Sequence, residues 1–183
     1  MATKSNQRVR ITKRLFHENL LALLKEKPIE KISVKELCDR AELNRTTFYL
    51  HYGKPEDVLE EIENDLIHDI QMFIVDTEQE NKPTTMLEML LSYIKNNREM
   101  FDLLVFKYGR DQFRQTCMER IMPLVFASNY GIIPQENALY VGSYIAAGSF
   151  AILYTWALNG YDRSEQDIMD LLIQINDYRA CHK

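Results

Sequence analysis

Apolar residues recur along this chain at the three- and four-residue spacing of an amphipathic helix, with no sustained two-residue alternation. Val9, Phe16, Leu20 and Leu23 mark one face of a first helix over about residues 6–26, which Pro28 ends. Ser33-Val34-Lys35-Glu36 is a capping box: the serine oxygen accepts from an amide three residues on, and the glutamate reaches back. Val34, Leu37, Cys38 and Ala41 then predict a short second helix over 33–41. Asn44 caps a third over 45–51, Gly53 breaks it, and Pro55 suits the first turn of a fourth. Leu59, Ile62, Leu66, Ile70 and Phe73 carry the stripe of that long helix, with Glu56, Asp57, Glu60 and Glu61 complementing its positive end.

A polar run at 76–83 reads as a linker. Beyond it the periodicity predicts helices at 84–97, 99–107, 110–127, 135–159 and 164–179, the last capped by Ser164 and striped by Ile168, Leu171, Leu172, Ile175 and Tyr178. The expected fold is therefore all-α with about nine helices. A three-helix helix-turn-helix domain occupies residues 1–54, and a helical regulatory and dimerisation domain occupies 55–183. Six glycines and five prolines in 183 residues agree with helices rather than a turn-rich β fold.

The 21 residues from 138 to 158 carry no formal charge, a length that could span a bilayer. Tyr140, Ser143, Tyr144, Ser149, Tyr154 and Thr155, and the lack of a basic cluster on either flank, favour a subunit interface instead. The last two helices are then expected to pair with their copies as a four-helix bundle, through Tyr144, Ala147, Phe150, Ala151, Tyr154, Leu172 and Ile175.

Charge changes the picture in one respect. Residues 1–55 hold 12 Lys and Arg against 6 Asp and Glu, a net of +6, while 56–183 hold 10 against 21, a net of −11. A basic head on an acidic body points to a polyanion for the head alone. The start, MATKSNQRVR, has no apolar stretch, and the scattered Cys38, Cys117 and Cys181 fit a reducing compartment, so the expectation is cytoplasmic.

Residues 43–54, LNRTTFYLHYGK, carry more chemistry than a core helix requires. Phe48 and Tyr52 are i,i+4 and belong with Phe16, Leu20 and Leu37 in a small core. Thr46, Tyr49 and Leu50 face the other way, flanked by Thr47, with Arg45 at the amino end. Hydroxyls and an arginine can bond base edges or phosphates, and a ring or methyl can touch thymine. His51, Lys54 and the amides opening the fourth helix can hold phosphates.

The stretch ISVKELCDRAELNRTTFYLHYGKPEDVLEEI resembles the DNA-binding region of TetR-family transcriptional regulators over about residues 8–65. AAGSFAILYTWALNG, residues 146–160, is similar to the penultimate helix of a short TetR-like subgroup. The resemblance implies that Thr47 and Tyr49 contact DNA backbone or bases, that His51 contacts phosphate, and that Arg45 and Thr46 read bases. It also implies repression relieved by a small ligand. Two positions depart from the family: Glu42 stands where the turn has glycine, so that residue carries strain or the turn differs, and Pro55 replaces a lysine, with Lys54 one place earlier.

Met89, Met100, Phe113, Met118 and Trp156 are candidates to line an effector pocket, and core filling explains each of them equally well. No P-loop, nucleophile elbow, zinc-protease or dinucleotide motif occurs, so no enzyme, cofactor or metal site is expected. The expected partners are double-stranded DNA and a second copy of the chain, with a small-molecule effector. The alternatives are a co-regulator whose C-terminal domain binds another protein, or a small all-α enzyme or binding protein with a vestigial head.

Overall fold

The computed structural model describes residues 4–78, 83–107, 111–121 and 136–176. Among these it holds nine α-helices and no strand: α1 (Lys4–Leu24), α2 (Val34–Ala41), α3 (Arg45–Tyr49), α4 (Pro55–Glu78), α5 (Pro83–Asn96), α6 (Arg98–Phe101), α7 (Asp111–Arg120), α8 (Ala138–Leu158) and α9 (Glu165–Asn176). One turn of 3-10 helix (Ile29–Lys31) follows α1, and a π-helical segment (Asp102–Lys107) prolongs α6 where continuous α-helix was expected. α4 runs on to Glu78, so the polar run at 76–83 begins as helix. The later part of the helix expected over 110–127, together with Tyr178 and Cys181, lies outside the described residues.

The chain divides into two compact units, one ending at Leu66 and the other starting at Ile67. The division falls inside α4, later than the break expected after residue 54, because Val58, Leu59 and Ile62 of α4 are buried in the first unit.

In the first unit Phe16, Leu20, Leu37 and Phe48 are wholly buried, as their spacing predicts. Phe16 meets Phe48 edge-on, with ring centroids 5.3 Å apart, and meets Tyr52 in the same way at 6.0 Å. Each such ring contributes roughly 1.5–3 kcal/mol by burial alone. Ion pairs from Lys27 to Glu36 (2.5 Å) and from Arg40 to Glu26 (2.7 Å) tie the end of α1 to α2.

The turn from α2 to α3 is a Schellman cap. The Glu42 amide donates to Asp39 O (3.4 Å) and the Leu43 amide to Cys38 O (3.0 Å), which places Glu42 at the left-handed position, with φ 55° and ψ 35°. The strain that a glutamate carries in this place is thus real, and the turn itself keeps its shape.

In the second unit α9 packs on α5 and α8, and α8 also packs on α7 and the π-helical segment. Ser92 donates to Glu165 (2.8 Å) and Lys95 pairs with the same carboxylate (2.7 Å), fixing the start of α9 against α5. Among the described residues, α8 is the one helix long and apolar enough to cross a membrane by length and composition. It buries Ile145, Ala146, Ser149, Leu153, Trp156 and Ala157 and leaves Leu139, Tyr140, Tyr144 and Leu158 exposed.

α8 ends in a second Schellman cap, in which Gly160 N donates to Ala157 O and Tyr161 N to Trp156 O, each at 2.9 Å. Here glycine takes the left-handed position, with φ 71°, and Tyr161 follows at φ 60°. Tyr161 stacks edge-on with Trp156 at 4.9 Å and donates its hydroxyl to Asp102 (2.8 Å), which offsets the cost of its backbone conformation.

Glu42→Gly is expected to raise stability by about 0.5–1 kcal/mol, since left-handed backbone costs an L-residue roughly 1–2 kcal/mol and glycine returns part of that as unfolded-state entropy. Thermal denaturation measures it, and Glu42→Val should shift the midpoint the other way.

Candidate nucleic-acid interface

α3 is five residues long, too short to hold its shape unaided. Its front is fixed by Asn44, whose Oδ1 accepts from the Thr47 amide (2.7 Å) and from the Thr47 hydroxyl (2.9 Å). Its middle is fixed by Phe48 in the core, and the chain just after it by Tyr52, 7% exposed. These anchors leave the opposite face in solvent: Arg45 and Thr46 are exposed, as are Tyr49 (59%) and Leu50 (75%). The Tyr49 ring stands edge-on to Phe48 at 5.6 Å, so an exposed ring is held in place from beneath. Thr47 and His51 are half-buried at the margins, and Lys54 is exposed.

Two expected contacts change their chemistry. The Thr47 hydroxyl proton is engaged by Asn44, so the group can accept from a base amine but must leave its cap to donate to a phosphate. The Gly53 and Lys54 amides both donate to Asp57 Oδ2, at 2.8 and 3.1 Å. They are therefore not open to phosphate, and Pro55 has no amide to offer. At this corner the Lys54 ammonium remains able to meet a phosphate, and neither it nor Arg45 forms an ion pair among the described residues.

Behind α3 lies a polar network that periodicity did not reveal. The Tyr52 hydroxyl donates to Glu61, whose other oxygen accepts from Lys13 (2.5 Å), and His17 Nε2 sits 3.3 Å from the hydroxyl and 3.4 Å from the carboxylate. Burial and the Glu61 carboxylate push the Tyr52 hydroxyl well above its ordinary range, so it remains a donor. Burial alone would raise the Glu61 carboxyl, but the bonds from Lys13 and Tyr52 outweigh it and leave it lowered and ionised. The one signal in the sequence was a tyrosine where the core needs only a phenylalanine.

Of the residues expected to line an effector pocket, those described stand in different surroundings. Met118 lines a cleft of about 710 Å³ with Gln115 and Glu119 of α7 and Ala138, Leu139 and Gly142 of α8. Phe113 and Trp156 are buried, and Met100 is half-buried. Trp156 is accounted for by the α8 cap, where its indole also donates to Arg163 O (3.0 Å). The side chain of Met89 lies outside the described residues. Of the residues expected between subunits, Tyr144, Ala147, Ala151 and Ile175 are exposed, and Phe150 and Tyr154 are half-buried. Leu172 is wholly buried within its own subunit, because the α9 stripe that carries it faces α5 and α8, so it offers no surface to a partner.

Residues 81–178 match the family described as transcriptional regulator C-terminal region, TetR type. The chain is 26% identical over 150 residues to an uncharacterized HTH-type transcriptional regulator, YxbF, of Bacillus subtilis, covering 76% of this chain and 38% of that protein. The chain thus spans well under half the length of that relative. Its fold is similar to a TetR transcriptional regulator from Streptococcus agalactiae, with a TM-score of 0.76 at 18% identity, covering 96% of this chain and 99% of the other. It is also similar to the dihydroxyacetone kinase operon activator DhaS, with a TM-score of 0.63 at 18% identity over 91% and 94% of the two chains.

Asn44→Ala removes both bonds that fix the front of α3 and is expected to cost about 1 kcal/mol in denaturant unfolding. An unchanged midpoint would show that the core alone shapes the helix.

Proposed function

Because the chain belongs to the TetR family of transcriptional regulators, we propose that it binds a palindromic operator as a homodimer through α3, represses from that site, and is released by a small ligand held in the second unit. The observation that carries the DNA reading is the outward face of α3: Arg45, Thr46, Tyr49 and Leu50 project from a helix whose other side is locked in a core. An exposed leucine and tyrosine beside an arginine that forms no ion pair among the described residues make a face both apolar and cationic. They suit a groove that offers thymine methyls, base edges and phosphates. The net charge of +6 over residues 1–55 supports the same partner.

The homodimer rests on the exposed stripe of α8, where Tyr140, Tyr144, Ala147 and Ala151 recur at steps of four, three and four and Leu158 follows one heptad on. Ala147 and Ala151 are small enough for two helices to approach closely. Two-fold symmetry then sets two recognition helices about one turn of DNA, roughly 34–36 Å, apart. A ligand in the cleft beside Met118 need only favour a dimer geometry that no longer fits this spacing. A body that takes up another protein is the second reading, and Leu139, 75% exposed on the wall of that cleft, favours it. The sign of the output follows from promoter position as much as from fold, and a protein of similar fold is named an activator.

A gel shift against the DNA upstream of the chain's own gene, at several salt concentrations, tests the operator reading. Tyr49→Ala should weaken binding at least tenfold, within the roughly 1–3 kcal/mol of a base contact. Lys54→Ala should weaken it on all sequences and lower the salt slope by about 0.9. Undiminished binding by Tyr49→Ala would remove α3 from the interface. For the dimer, Ala147→Glu should yield a monomer by light scattering, and a monomeric parent protein would defeat the assignment.

A further inference from the structure

We propose that Tyr52 and Glu61 form a positioning pair, which fixes α3 at the angle its outward face needs on DNA without touching DNA themselves. The proposal rests on the reading of α3 as the operator-binding helix. Packing alone does not explain Tyr52, whose ring fills its place against Phe16 and Phe48 as a phenylalanine would. The hydroxyl is the addition: carried three residues after the end of α3, it donates to Glu61 of α4.

Glu61 is itself held from α1. Lys13 bonds its other oxygen at 2.5 Å and also lies 5.6 Å from the centre of the Tyr52 ring. His17 Nε2 faces both the Tyr52 oxygen and Glu61 Oε2. The one proton of the Tyr52 hydroxyl is given to Glu61, so both atoms facing Nε2 are acceptors, and that nitrogen carries hydrogen. One carboxylate thus joins α1, the chain leaving α3, and α4.

A helix of five residues has little internal resistance to tilting, and its orientation is set by what holds its ends. Asn44 holds the front, and the Tyr52–Glu61 bond holds the chain behind. Loosening the rear means that DNA must order it on binding, which lowers affinity without removing any contact. The network borders an open cleft of about 480 Å³ lined by Arg10, Lys13, Arg14, His17, Glu61 and Asp65. Groups unpaired by substitution there gain access to water, so the head keeps its core.

The test is operator affinity of the full chain by fluorescence anisotropy on its own upstream DNA, across salt concentrations, with unfolding curves for each variant. Tyr52→Phe should bind about five- to tenfold more weakly, the range of one hydrogen bond, with an unchanged salt slope. Glu61→Ala should match it, and Glu61→Gln, which keeps an acceptor for the hydroxyl, should recover most of the loss. The double variant Tyr52→Phe/Glu61→Ala should be no weaker than Glu61→Ala alone. Parental affinity in Tyr52→Phe, additive losses in the double variant, a lowered salt slope, or a loss matched by the unfolded fraction would each overturn the proposal. Tyr49→Ala run in parallel separates the two readings. If it binds as the parent does, the operator role of α3 fails; if it weakens while Tyr52→Phe does not, the positioning pair alone fails.

Discussion

Phe48 stands edge-on between the rings of Phe16 and Tyr49, and the working face of the head depends on that placement. Nucleating a helix costs more than five residues can return through their own hydrogen bonds, so α3 exists only because other parts of the chain impose it. Asn44 supplies the cap, Phe48 the buried anchor and Tyr52 the exit. Helical geometry then decides the rest, because residues three or four positions from an anchor share its buried face, and Thr46, Tyr49 and Leu50, one or two positions from Phe48, point outward. A core substitution in this head therefore also disturbs its outward face, since no independent scaffold keeps Tyr49 and Leu50 in place.

Local hydrogen bonds compete with foreign ones for the same atoms, and this sorts the candidate contacts. Thr47 gives its proton to Asn44, and two amides before α4 give theirs to Asp57. Each of these bonds stabilises the corner that presents the face, and each removes a donor that phosphate could have used. What remains outward is the set with no such engagement: the guanidinium of Arg45, the Thr46 hydroxyl, the Tyr49 and Leu50 side chains and the Lys54 ammonium. Selection by local satisfaction is a stronger filter than residue type, because threonines 46 and 47 are chemically alike, yet the second is half-buried with its hydroxyl engaged and the first is exposed.

Periodicity made the head legible almost residue by residue. The Ser33 box, the Asn44 cap and the Phe16–Phe48–Tyr52 core all stand where the spacing puts them, because each is a contact between residues near in sequence or between strong apolar stripes. What it hid were features set by how helices cross. Lys13, His17 and Glu61 read as ordinary charged positions until α1 and α4 bring them to one tyrosine hydroxyl. Leu172 shows the same limit in reverse: an apolar stripe tells that a face is buried, not whether its own chain or another one covers it. The π-helical turn at Asp102–Lys107 left no mark, since one extra residue in a turn disturbs a hydrophobic pattern too little to notice.

α8 carries that ambiguity furthest, and its surface resolves part of it. The chain's own helices cover Ile145, Ala146, Leu153 and Trp156, so what remains apolar and exposed is a stripe rather than a girdle. Along the exposed side the Ser143 hydroxyl donates to Leu139 O and that of Thr155 to Ala151 O, both at 2.8 Å. Hydroxyls folded back onto the helix leave their methyl and methylene surface outward, so the stripe is less polar than its sequence reads. Lipid meets a helix over whatever arc the protein leaves open and has no need of small residues in line. A second helix contacts a narrow seam and approaches closest where that seam is small, as at Ala147 and Ala151. A narrow seam of small residues, flanked by Tyr144 and Leu158, leaves room for a second helix to approach, and the proposed two-fold assembly rests on that.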